Sequence, residues 1–351
     1  MKAYSKSLHT IDELCAQSLV PRERLDVLNE VAARYAVAIT PAVADLIDRD
    51  DPHDPIARQF VPDARELQKQ PQERADPIAD DPFSPVEGVV HRYPDRVLLK
   101  VVNACAVYCR FCFRREMIGP GRGGLSPKAL AAALDYIAGH AEIWEVILSG
   151  GDPLILSARR IRDVVKRLAA ISHVKVIRVH TRMPVVAPKR IGAALVRALR
   201  TDKATFVVLH ANHPRELTSE ARAACARLID AGIPMLSQSV LLRGVNDDVE
   251  TLGALMRALV ECRIKPYYLH HADLAPGTAH LRTTIAEGQA LMRGLRGRFS
   301  GLCQPTYVLD IPDGHGKSPI GPNYVSADGA GDTATIEDFN GRRHLYPPRR
   351  R

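Results

Sequence analysis

The chain has 351 residues, of which 46% are hydrophobic and 25% charged, enough to bury one large α/β core or two smaller ones. No apolar stretch reaches the roughly eighteen residues of a membrane span, and the opening Met-Lys-Ala-Tyr-Ser-Lys-Ser has no secretory apolar segment, so a cytoplasmic setting is expected. The formal charge of +8 does not indicate a nucleic-acid partner, because Arg342–Arg351 holds five arginines and no acid and reads as a solvated tail.

Residues 1–50 repeat apolar side chains three and four apart, as in Ile11-Asp-Glu-Leu-Cys and Leu25 to Tyr35, which predicts amphipathic helices packed on a larger body. Residues 51–88 are punctuated by Asp51-Pro, Asp54-Pro, Asp76-Pro and Asp81-Pro and read as an extended connector with turns. A connector of that length is expected to lie along the surface or to cover a site. From Val97 onward β-branched runs (97–102, 145–148, 174–180, 205–210, 235–242, 266–270) alternate with helical segments (127–139, 158–170, 190–199, 219–231, 248–261). The alternation predicts an α/β fold with a parallel sheet and covering helices, whose active site lies at the carboxyl ends of the strands.

Just after the first of these strands come Cys105, Cys109 and Cys112, at C-x3-C-x2-C spacing. Three thiolates suit an iron–sulfur cluster, and a four-iron cluster held by three protein ligands leaves one iron open. Zinc generally takes four Cys or His ligands; His91 is available as a fourth, but there is no second C-x2-C pair. Seven cysteines, odd in number and sparse, fit a disulfide framework badly.

Four segments together resemble the lysine 2,3-aminomutase family of the radical S-adenosylmethionine (SAM) superfamily: Cys105-Ala-Val-Tyr-Cys109-Arg-Phe-Cys112-Phe-Arg-Arg, Leu148-Ser-Gly-Gly-Asp-Pro-Leu154, Asn212-His-Pro214 and Gly314-His-Gly-Lys-Ser-Pro319. The resemblance runs from about Val89 to Val325. It implies a partial (β/α)6 barrel (89–300) with an N-terminal helical extension and connector (1–88), a C-terminal segment binding pyridoxal 5′-phosphate (PLP) (301–325) and a basic tail (326–351). It also implies a 4Fe-4S cluster on the three cysteines, with SAM on its open iron.

The resemblance further assigns roles one residue at a time. Ser149, Gly150, Gly151 and Asp152 would contact SAM, with His210 and Gln238 holding its nucleoside, although on turn chemistry alone Gly-Gly-Asp-Pro is an ordinary turn. Lys317 would be the catalytic PLP lysine, whose Schiff base needs a neutral amine. Arg92, Tyr93 and Arg96 would grip the PLP phosphate, arginine suiting phosphate through paired charged hydrogen bonds. Arg114 would meet the substrate carboxylate, and Asp273 and Asp310 the distal ammonium of lysine. Two carboxylates facing one ammonium compensate its desolvation and repel glutamate.

The implied activity is that of an isomerase moving the α-amino group of L-lysine to the β-carbon. The implied partners are a free amino acid and an electron donor such as flavodoxin or ferredoxin. A lysine on translation elongation factor P, or another free amino acid such as glutamate, is the alternative substrate. The chain has no cysteine after Cys303, and Asp248 stands where the family's internal zinc ligand is expected, which leaves homo-oligomer formation open.

Overall fold

The computed structural model describes residues 6–327 and 333–347. Nine strands follow one another in sequence order across a single sheet: β1 (Val89–Tyr93), β2 (Arg96–Val102), β3 (Glu145–Gly150), β4 (Val176–Thr181), β5 (Ala204–His210), β6 (Met235–Val240), β7 (Ile264–His270), β8 (Thr306–Ile311) and β9 (Gly316–Pro319). Strands β2 to β8 run parallel, while β1 and β9 pair antiparallel at the two edges. The middle strands are short and largely buried along their length, β3 almost throughout, as expected of a parallel sheet covered on both faces.

Each of β2 to β7 is followed by a helix: Pro127–Ala138, Ala158–Ala169, Ala193–Leu199, Ser219–Ile229, Val249–Glu261 and Ile285–Leu295. Local chemistry fixes where they start. Ser126, Ser157, Thr218, Asp248 and Thr284 are N-caps whose side chains accept an early helical N–H. Asp248, at the position of the missing zinc ligand, accepts from the Thr251 N–H at 2.8 Å and so serves the helix. Helix Ala158–Ala169 buries Ile161, Val164, Val165 and Leu168 on one stripe and leaves its arginines outside. The architecture is thus the covered parallel sheet expected from the alternation, in the partial (β/α)6 barrel form that the resemblance implies, extended by β1, β8 and β9.

The sheet curls until its edges meet: the Tyr93 hydroxyl at the end of β1 accepts from the Lys317 N–H of β9 at 2.7 Å. The connector 51–88 is an ordered strap across the loops at the carboxyl ends of the strands. Three acids that expose almost none of their side chains pin it: Glu66 to Arg110 and Arg115, Glu73 to Arg282, and Asp80 to Arg92 and Arg114. Phe83 packs where a side chain on Gly314 would sit, and Arg74 pairs with Asp313, joining the strap to the β8–β9 turn.

The basic end is largely exposed, as expected of a solvated segment, but it is folded rather than a loose tail. Strands β10 (Val325–Ala327), β11 (Ala334–Glu337) and β12 (Arg343–Tyr346) form a separate antiparallel sheet. Asp338 organises the β11–β12 turn by accepting from the Asn340 and Arg342 N–H groups and the His344 ring, and Glu337 pairs with Arg293 on the barrel. Each of these strands is only three or four residues long, too short to show a period in the sequence; Arg349, Arg350 and Arg351 lie outside the described residues. Among the described residues no helix is long and apolar enough to cross a membrane.

Candidate active site

After β2 the chain turns into the cysteine loop, and the N-terminal extension grips that loop from outside. Tyr108 N–H donates to Ala38 O (3.1 Å), Arg110 N–H to Gln59 O (2.8 Å), and the Arg110 guanidinium to Ala36 O and both Glu66 oxygens. Cys105, Cys109 and Cys112 are unbridged and line one cavity. Burial pushes the thiol of Cys105 well above its ordinary range and that of Cys112 to about 11, and it raises Cys109 against the opposing pull of Arg182. Such thiols ionise when a metal replaces the proton. Among the described residues no trio of His, Cys, Asp or Glu converges tightly enough to hold one metal ion. A cluster spreads its thiolates over separate corners, so this donor set fits a cluster better than a lone zinc. His91 does not join it, bonding instead to the Tyr136 hydroxyl at 2.9 Å.

At the end of β3, Gly150 and Gly151 line the cavity and also bring two stretches of backbone together. A Cβ on Gly150 would run into the Val102 carbonyl and one on Gly151 into Ala104, so these glycines let β3 approach the start of the cysteine loop. Gly150 also has φ +108°, which glycine adopts without strain. Asp152 is turned toward protein, accepting from Thr181 Oγ1 (2.7 Å), Arg182 N–H (2.8 Å) and Leu154 N–H (3.0 Å). These bonds tie β3 to β4 at a point where Asp152 also lines the cavity. Ser149 lines the cavity with Oγ 3.4 Å from Arg114 Nη1.

Across the cavity, His210 and Gln238 are neighbours on β5 and β6. His210 Nε2 lies 3.2 Å from Asn212 Oδ1, with its ring against Phe111. Burial holds it neutral, well below the usual histidine range. His180, not anticipated from the sequence, also lines the cavity, with a buried Nε2 that has no protein partner. Burial, reinforced by Arg178 and Lys317, keeps it neutral as well. His210 and Gln238, side by side on adjacent strands, form a polar wall of the kind a nucleoside requires, while His180 lies on the side of Arg178 and Lys317.

The third wall carries the charges. In the β8–β9 hairpin Asp310 and Lys317 are cross-strand partners, and Lys317 Nζ donates to both Asp310 oxygens at 2.6 and 2.7 Å. His270 Nδ1 lies 3.5 Å from the same carboxylate. Burial alone would raise Asp310, but His270 and Lys317 outweigh it and hold the carboxyl below its usual range. Asp273 is raised to about 7, first by burial and then by the charge of Asp310.

Arg92, Tyr93 and Arg96 line the cavity near Lys317. Arg92 Nη2 donates to Ile78 O (2.6 Å) and Asp80, while its buried Nε has no partner, and Arg96 stacks on the Tyr93 ring. Arg96 also pairs with Asp95 at 2.7 Å, and the two guanidinium groups with the phenol make a cationic end of the cavity whose charge suits a phosphate. Arg114 gives its Nε–Nη2 edge to Asp80 at 2.9 and 2.8 Å, a partner that sequence reasoning missed. All these walls enclose one cavity of about 760 Å³, from the cysteine loop to Lys317, Asp273 and Asp310.

A parallel barrel with three cysteines at the end of its first parallel strand defines a radical SAM enzyme, and the radical SAM superfamily model matches residues 99–255. A second model, lysine-2,3-aminomutase, matches residues 292–349. The chain is 40% identical to L-lysine 2,3-aminomutase of Clostridium subterminale, covering 95% of this chain and 80% of that one. It is 42% identical to the enzyme of that name from Acetoanaerobium sticklandii, covering 91% and 77%. It is also 34% identical to glutamate 2,3-aminomutase of Clostridioides difficile, covering 96% and 80%. The chain belongs to the lysine 2,3-aminomutase family and is a radical SAM aminomutase, an isomerase.

Proposed function

We propose that this aminomutase uses PLP and converts free L-lysine to β-lysine by moving the α-amino group to the β-carbon. The observation that carries the reading is the shared cavity, in which the cysteine trio, Lys317 and the Asp273–Asp310 pair face one space. When bound, the cluster with SAM supplies one-electron chemistry able to activate an unreactive carbon–hydrogen bond, and PLP supplies a conjugated ring that supports amino-group migration. Cys105, Cys109 and Cys112 would hold the cluster; His210, Gln238 and Ser149 would border SAM. Lys317 would anchor PLP, with Arg92, Tyr93 and Arg96 at its phosphate.

The substrate assignment follows from the charges. Asp310 already accepts an ammonium, that of Lys317, through both oxygens. With the Lys317 nitrogen committed to PLP, Asp310 is free for the distal ammonium of lysine, and Asp273 supplies the second carboxylate. The remaining edge of Arg114 suits the substrate carboxylate, since Asp80 fixes the opposite edge. Ile78 of the strap lines the same cavity, a boundary that suits a free amino acid better than a residue on a polypeptide.

Anaerobic reconstitution with iron, sulfide, SAM and PLP, followed by product analysis, tests this. L-Lysine should yield β-lysine and L-glutamate no product. Lys317→Ala should lose the pyridoxal absorbance and turnover while keeping cluster absorbance; continued β-lysine formation by that variant would overturn the assignment.

A further inference from the structure

The Arg182 guanidinium, behind the cysteine loop, is held by three side chains and two aromatic rings. The residue follows β4, its side chain is 6% exposed, and its backbone N–H donates to Asp152 Oδ2 at 2.8 Å. Nη1 donates to Cys109 Sγ at 3.1 Å, and Nη2 to Gln59 Oε1 (2.5 Å) and Glu216 Oε2 (2.6 Å). The guanidinium also lies over the rings of Phe60 and Phe111. Glu216 in turn accepts from the Asn212 and His213 N–H groups at 2.8 and 2.9 Å. The other two thiols face uncharged donors, the backbone N–H of Asp152 for Cys105 and that of Arg114 for Cys112. Of the three sulfurs, Cys109 alone has a charged side-chain donor among the described residues.

We propose that Arg182 is a positioning residue that sets the reduction potential of the cluster through its charged hydrogen bond to the Cys109 sulfur. The inference rests on the assignment of the three cysteines to a 4Fe-4S cluster. One-electron reduction adds negative charge that is shared with the ligand sulfurs. Hydrogen bonds to sulfur and nearby fixed charge are levers that set the potential of such clusters. A permanently charged donor in a buried, weakly screened site favours the reduced state and raises the potential. Glu216 opposes this, because its carboxylate offsets part of the guanidinium charge. Two substitutions should therefore move the potential in opposite directions.

The test is a redox titration of the anaerobically reconstituted full chain with dithionite, without SAM, following the reduced cluster by electron paramagnetic resonance. Arg182→Gln should lower the reduced-to-oxidised ratio about tenfold at the wild-type midpoint, a shift of about 59 mV for a one-electron couple. Arg182→Lys, which keeps the charge, should restore most of that loss. Glu216→Gln, which keeps Oε1 as acceptor for the Asn212 and His213 N–H groups, should shift the midpoint upward. A fully loaded Arg182→Gln cluster with the wild-type midpoint would overturn the proposal. Should Arg182→Gln fail to take up iron, Glu216→Gln decides: an upward shift supports the proposal and an unchanged midpoint overturns it. Failure of the wild-type chain to take up iron and sulfide would instead overturn the cluster assignment, and the inference with it.

Discussion

In the proposed lysine site, Asp273 has to be ionised to meet the ammonium. Its carboxyl titrates at about 7 because it is buried beside Asp310, and a neutral acid cannot offset an incoming ammonium. Binding a cation therefore favours the ionised form and releases the proton. The sign follows: lysine affinity rises with pH through about 7 and levels off above it, weakening about tenfold per unit below. Lysine Kd measured by calorimetry across that range should show this slope, and Asp273→Asn should flatten it while weakening binding throughout. Asp273 and Asp310 were singled out in the sequence by the family resemblance, their place at or just past a strand end alone being no more than that of a helix cap. Asp80 and Arg182 were not, since their importance comes from partners far away in sequence, and nor was His180, whose place on the cavity wall only the folded sheet reveals. Asp152 shows the converse, a residue in a recognisable motif whose oxygens are taken up by the chain itself.

The strap turns an irregular stretch into part of the site. Glu66 reaches Arg110 and Arg115 in the cysteine loop with its side chain fully buried. Glu66→Gln leaves two buried guanidinium groups without their counter-charge, and removing one partner of such a pair costs about 3–5 kcal/mol. The urea midpoint should fall with unchanged slope, and iron retained after desalting should fall with it. The Asp-Pro repeats made the connector visible, and its length pointed to a covering role. They could not show which acids turn inward, because the matching arginines lie in loops that sequence periodicity does not describe. The six strands and five of the helices were legible from their periodic runs, whereas the helix Ile285–Leu295 was not; β10 to β12 were hidden because each is only three or four residues long, too short to show a period.

At the scale of the molecule, the sheet is a ring held at its seam by the Tyr93–Lys317 contact and by the strap. A ligand in the lumen touches walls contributed by most of the chain, so its binding energy adds to the stability of the whole fold. Lysine at a hundredfold excess over its Kd should stabilise the PLP-loaded protein by about 2.7 kcal/mol, read as a rise in Tm. Glutamate at the same concentration, repelled by Asp310 and Asp273, should leave Tm unchanged.

The β8–β9 hairpin adds a constraint of parity. Asp310 and Lys317 face each other across a four-residue turn, Pro312 to His315, and side chains alternate sides along a strand. A single glycine inserted in that turn would slip β9 by one place and aim the amine at bulk solvent, and pyridoxal attachment should be lost. Two inserted glycines would restore the inward aim one notch along the strand, and attachment should partly return, as borohydride trapping of the cofactor would reveal. The spacing of the turn is therefore as much a determinant of chemistry as the nitrogen it delivers.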